Sequence, residues 1–235
     1  MTESQYRDEI CRIGKSLFER GYVHATAGNI SVRLDENAGG GYLITPTDAC
    51  LGTLDPTRLA RIDAHGRQIS GSMASKSAHL HRRIYEAAIR FDPNTRCVIH
   101  THSTHCVALS LQTAGHSYDT TRASENIEWL PALTPYFVMK IGHVPLIAYD
   151  RPGAVESAEL VSQAIAHYGK RGAPIRAVML ERLGPNVWHD SPASCMAILE
   201  ELEETAKLMC LLPRTPDPLT PLQIDDLRQS FKARW

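Results

Sequence analysis

Two turn-centred hairpins near the N-terminal end constrain the fold of this chain more than any other feature. Residues 29–34 (NISVRL) and 41–45 (GYLIT) are rich in strand-forming side chains and flank DENAGG, a run of turn formers. The stretch RLARIDAHGRQISG repeats the pattern, with Ala64, His65 and Gly66 at its turn. Hairpins demand antiparallel pairing. The remainder carries helical periodicity. Residues 3–20 place Ile10, Ile13, Leu17 and Phe18 on one face, with Gly21 as a C-cap. Further helices are expected over 75–90, 103–112, 154–171 and 191–212, the last with Ser191 as N-cap and Pro192 in its first turn. Apolar strands are expected at CVIHTH and AVML, and one or two more within IEWLPALTPYFVMKIGHVPLI. Hairpins interleaved with crossover helices predict an α/β protein with three layers, a central mixed, largely antiparallel sheet covered by helices.

Composition narrows the function classes. A formal net charge of −1 over 235 residues argues against a nucleic-acid or membrane-surface partner. The six cysteines (Cys11, Cys50, Cys97, Cys106, Cys195 and Cys210) are scattered and form no CxxC pair. The first residues are charged and helix-patterned, not a signal sequence. No apolar run approaches the roughly 20 residues that span a bilayer. The expectation is a cytoplasmic protein with reduced thiols.

The strongest chemical signal is Val98-Ile99-His100-Thr101-His102. Side chains at i and i+2 of a strand share a face. The two imidazoles would then stand about 7 Å apart along the backbone, close enough to converge on one divalent ion. The plainer alternative is one hydrogen-bonded core histidine and one facing solvent. His105, in the next turn, could point at the same place.

The segment His100-Thr101-His102-Ser103-Thr104-His105 resembles the metal strand of the class II aldolase/adducin family. Ala27-Gly28-Asn29-Ile30-Ser31 and Ile44-Thr45-Pro46-Thr47 resemble its two phosphate loops, in the right order and spacing. The likeness runs over residues 5–212. It is strongest, through Leu133-Thr134-Pro135-Tyr136, Arg151-Pro152-Gly153 and Glu201 to Lys207, to the 3-oxo-tetronate 4-phosphate decarboxylases; L-fuculose-phosphate aldolase is more distant. The resemblance implies that residues 1–212 form one domain and 213–235 a helical tail at a subunit interface. It implies a homotetramer, and a metal-dependent carbon–carbon lyase acting on a phosphorylated sugar acid. Zn²⁺ is the expected ion, with Mn²⁺, Fe²⁺ or Co²⁺ as substitutes, held by three histidines of which two match His100 and His102. Gly28, Asn29, Thr47, Ser75 and Lys76 would bind phosphate, and Tyr136 would act as a general acid. The ion would act as a Lewis acid on the enediolate left after cleavage. Each residue also has a plainer reading: an ordinary turn for Gly28-Asn29, a helix N-cap for Ser75, a core aromatic for Tyr136.

Two positions depart from the family pattern. Ser77 stands where a catalytic glutamate is expected, and a hydroxyl cannot take up a proton near neutral pH. Leu183, in Leu180-Glu181-Arg182-Leu183-Gly184-Pro185, stands where the third metal histidine is expected. His79, His105 or Glu181 could supply the missing functions. The same departures leave open an impaired or non-catalytic family member, a sugar-phosphate aldolase, or a metal-dependent oxygenase on the same fold.

Overall fold

The computed structural model describes residues 1–113 and 128–235. Helix α1 (Glu3–Glu19) starts at a capping box: the Gln5 N–H donates to Thr2 Oγ1, and the Thr2 N–H donates to Gln5 Oε1. It buries Ile10, Ile13 and Leu17, whereas Phe18, expected on that face, is 39% exposed. One residue past Leu17 is a rotation of about 100°, which carries Phe18 to the edge of the apolar stripe, where it packs on Gly52.

The hairpins form as expected: β1 (Asn29–Arg33) with β2 (Tyr42–Ile44), and β3 (Ala60–Ile62) with β4 (Gln68–Ser70). Helix α2 (Ala78–Ala88) follows, then β5 (Cys97–His100), α3 (Thr104–Thr113), β6 (Leu146–Ile147), α4 (Val155–Lys170), β7 (Ala177–Leu180), β8 (Gly184–His189), α5 (Pro192–Leu211) and α6 (Pro221–Phe231). The eight strands form one sheet in the order β4-β3-β2-β1-β5-β8-β7-β6. Every pairing is antiparallel except β6 with β7.

Strand alternation divides the core into two layers. Ile30, Val32, Cys97, Ile99, Met179 and Val187 face α1, α3 and α5. Val98, Val178, Leu180 and Trp188 face α2 and α4. Central strands therefore bury both faces and read as continuous apolar runs. A third, smaller cluster joins Leu227 of α6 to Ala132 and Val138. Trp235 completes that end, stacking on His143 at 4.3 Å between ring centres.

Three local expectations change. Strand β5 ends at His100, so His102 belongs to the loop that follows. Helix α2 begins at Ala78, and Ser75-Lys76-Ser77 forms the turn that enters it. In the stretch from 127 to 147, of which Ile127 lies outside the described residues, Phe137–Ile141 coils into a π-helical turn that buries Phe137 and Val138. Among the described residues no helix is long and apolar enough to cross a membrane.

Candidate active site

A pocket of about 450 Å³ opens where β1 begins and β5 ends, at the entrances to α2 and α4. The positions expected to bind phosphate and metal all line it, together with Ser77, His79 and Leu183. Tyr136 does not. It precedes the turn at Phe137–Ile141 and is 61% exposed.

His100 is the last residue of β5 and pairs with Asn29 on one side and Asn186 on the other. Its Nδ1 lies 3.0 Å from the Pro185 carbonyl oxygen and 3.2 Å from the Asn186 amide nitrogen. The carbonyl can only accept, so the shorter contact places the proton on Nδ1 and leaves the Nε2 lone pair free. His102 Nε2 stands 3.2 Å from His100 Nε2. Two nitrogens bound at about 2.1 Å to a tetrahedral ion lie about 3.4 Å apart. Burial, then the neighbouring His102, holds His100 down to about 3, although the Pro185 carbonyl acts the other way. Burial, then His24, also lowers His102. Both rings are therefore neutral at pH 7, the form that binds a metal.

The two histidines thus fit two ligand positions. The third is different. Leu183 reaches the pocket wall with an apolar side chain. Among the described residues, no group of three or more His, Cys, Asp or Glu is gathered to hold an ion. The turn from β7 to β8 is nevertheless pressed onto the histidine loop. Gly184, at φ +125°, leaves no room for a Cβ against the Thr101 carbonyl.

The two loops expected to bind phosphate are tied together by backbone. The Thr47 N–H donates to the Met73 carbonyl at 2.8 Å, and the Ser75 N–H to the Thr45 carbonyl at 3.1 Å. Gly28, at φ +83°, lies where a Cβ would meet Val23 Cγ1 at 2.7 Å and the His100 carbonyl at 2.9 Å. Only glycine lets this loop close onto the histidine strand. Asn29 is buried; its amide nitrogen donates to Ser77 Oγ at 3.2 Å while its Oδ1 has no partner. Lys76 and Arg151 supply positive charge, and neither pairs with a carboxylate among the described residues. The N-terminus of α4 follows Arg151-Pro152-Gly153 into the same pocket, with no side-chain cap on Ala154.

His79 lines the pocket from the first turn of α2. His105 does not: its Nδ1 lies 2.8 Å from Glu203 Oε1 on α5. Glu181 is likewise engaged elsewhere, accepting the Tyr149 N–H at 2.9 Å. Among the pocket residues that carried no role in the sequence reading are Arg151 and His24. Arg151 sits in a motif already matched to the family. His24 lies four residues before Gly28, a proximity that is the one available signal.

A helix-covered mixed sheet with paired histidines at the end of a central strand, beside the two loops expected to bind phosphate, is the arrangement that the class II aldolase resemblance implies. The chain belongs to the class II aldolases and adducins: the model of the Class II Aldolase and Adducin N-terminal domain matches residues 8–210. It is 46% identical over 239 residues to the 3-oxo-tetronate 4-phosphate decarboxylase of Cupriavidus necator, covering 100% of this chain and 99% of that protein. It is 31% identical over 154 residues to the L-fuculose phosphate aldolase of Methanococcus vannielii, covering 66% and 72% of the two chains. The crystal structure of YgbL from Escherichia coli superposes with a TM-score of 0.80 at 37% identity, covering 96% of this chain and 99% of that one.

Proposed function

We propose that this chain is a metal-dependent carbon–carbon lyase that decarboxylates a phosphorylated sugar acid of the 3-oxo-tetronate 4-phosphate type. The observation that carries the reading is one pocket lined by a converging, neutral histidine pair and by the two loops that match the family's phosphate loops. End-to-end similarity to the Cupriavidus necator decarboxylase supports the substrate class.

Gly28, Asn29, Thr47, Ser75 and Lys76 bind the phosphate through N–H, hydroxyl and ammonium donors. Arg151 and the open N-terminus of α4 add positive potential. His100 and His102 hold a divalent ion, Zn²⁺ in the first instance. When bound, that ion supplies Lewis acidity for charge that develops as the carbon–carbon bond breaks. The Pro185 carbonyl orients His100 for that task. Ser77 cannot store a proton, so the protonating group lies elsewhere. His79 is the candidate in this pocket. Tyr136, exposed and outside it, would act as general acid in the pocket of a neighbouring copy rather than in its own.

The exposure of Tyr136, and of Leu222 and Phe231 on α6, supports a homotetramer with residues 213–235 at a subunit interface. All six cysteines are free thiols, in keeping with a cytoplasmic location.

The test supplies the metal-loaded protein with a 3-oxo-tetronate 4-phosphate and follows carbon dioxide and triose phosphate. Equimolar release is expected, abolished in His100→Ala and His102→Ala. A stoichiometrically metal-loaded protein that releases no carbon dioxide would sink the assignment.

A further inference from the structure

We infer that His24 supplies the third protein ligand to the ion held by His100 and His102, a ligand that Leu183 cannot supply. The inference rests on the metal-dependent reading above and adds to it a ligand from a different part of the chain.

His24 lines the same pocket, and its ring meets that of His102 edge-on at 6.5 Å between centres. Besides His100, it is the one imidazole among the described residues whose ring contacts His102. The pair itself sits at 4.9 Å between centres. Two imidazoles sharing one tetrahedral ion hold their ring centres about 5 Å apart, so the His24 ring stands about 1.5 Å too far from that of His102 and must turn toward the pair to join it. His24 is exposed. A change of χ1 between staggered wells moves an exposed ring by more than that gap.

The loop carrying His24 is built to lie against the pair. Buried Val23 packs at the position a Gly28 Cβ would occupy, and that same Cβ would strike the His100 carbonyl. The absence of a side chain at 28 thus seats residues 23–28 on the histidine strand. The Ala27 N–H donates to the His24 carbonyl at 2.9 Å, closing a tight turn. Within that turn Ala25 is held at φ +46°, a region unfavourable for a residue with a Cβ. Strain of this kind persists only where the surroundings enforce it. Leu183, which also lines the pocket, offers no donor.

The test is metal binding by the full chain, read by competition with a chromophoric chelator for Zn²⁺ and by the visible absorption of the Co²⁺ form. His24→Ala is expected to weaken Zn²⁺ at least about tenfold and to reduce the intense absorption of four-coordinate Co²⁺. His79→Ala, which removes a pocket imidazole without a proposed metal contact, is expected to change affinity by less than about threefold. Leu183→His is expected to restore affinity in the His24→Ala background, which also shows that the loop variant is folded. If His24→Ala binds as the parent does while His100→Ala does not bind, the inference falls and the lyase reading stands. If the parent binds no ion, both fall.

Discussion

Asn29 and Ser77 meet across the floor of the pocket, the amide nitrogen of one donating to the hydroxyl of the other at 3.2 Å. Ser77 is where the family pattern calls for a carboxylate. Asn29 already presents an amide donor there and keeps an unpartnered Oδ1. Ser77→Glu would receive that donor and place a proton-transfer group beside the histidine pair. A positioned acid or base contributes about a hundredfold or more. Ser77→Glu is therefore expected to raise kcat for decarboxylation by about that factor, whereas Ser77→Ala leaves kcat within about threefold. Steady-state kinetics on both variants decides. A Ser77→Glu protein that folds, binds metal and is no faster would show that the carboxylate's task has passed to another residue.

Arg151 is exposed and faces the pocket beside the open end of α4. An interaction made equally with substrate and transition state alters KM and spares kcat. Arg151→Ala is expected to raise KM for the phosphorylated sugar acid by about tenfold, with kcat within about twofold. Arg151→Lys should fall between, since it keeps the charge and loses the planar fork. A fall in kcat at constant KM would assign Arg151 to the chemical step instead.

Much of this was readable in the sequence, for reasons that particular residues make clear. The hairpins, α1 and α5 carry their own punctuation, from DENAGG to Ser191-Pro192, and local signals suffice. The histidine pair was legible because a strand period of two is rigid, although His102 lies just past the strand end. Strand β8 was missed because Gly184-Pro185 reads as a turn. It becomes a strand only because β5 and β7 offer pairing edges on either side. The bond from His105 to Glu203 spans 98 residues, and no local pattern announces it. His24 was invisible for a related reason: its place depends on a loop folded back by Gly28.

His81 lies fully buried beneath the site, between Ser31, Tyr85 and His100. Its Nδ1 is 2.7 Å from Ser31 Oγ, which also meets Tyr85 Oη, and its Nε2 has no partner. Burial, with a smaller contribution from His100, lowers it from 6.5 to about 3. Between those values the unfolded chain binds a proton that the folded one refuses. Stability contributed here is present above pH 6.5 and lost as pH falls, at about 1.4 kcal/mol per unit from this group. Urea unfolding of metal-free protein from pH 6.5 down to about 4.5 should show it. His81→Gln is expected to make the slope shallower by about that amount, and parallel slopes would refute the assignment.

Glu203 links the two helices that flank the histidine loop. From buried α5 its carboxylate accepts the His105 N–H at 2.9 Å, the Cys106 N–H at 3.1 Å and His105 Nδ1 at 2.8 Å. It therefore caps α3, whose first residue is two positions after His102. Burial pushes the Glu203 carboxyl up, but the N–H donors from His105 and Cys106 outweigh it and hold the group below its usual range. The stability it gives is present above the unfolded carboxylate range and lost as pH falls through the lowered folded value. Glu203→Ala strands two backbone donors in the core and is expected to cost about 3 kcal/mol. Glu203→Gln keeps an accepting oxygen and should cost less. Because the cap fixes where α3 begins, Glu203→Ala should also weaken metal binding at His102, by loosening the loop that presents it. Denaturant titration and chelator competition on the same protein would separate the two effects. A stability loss below about 0.5 kcal/mol would mean that water replaces the carboxylate without cost.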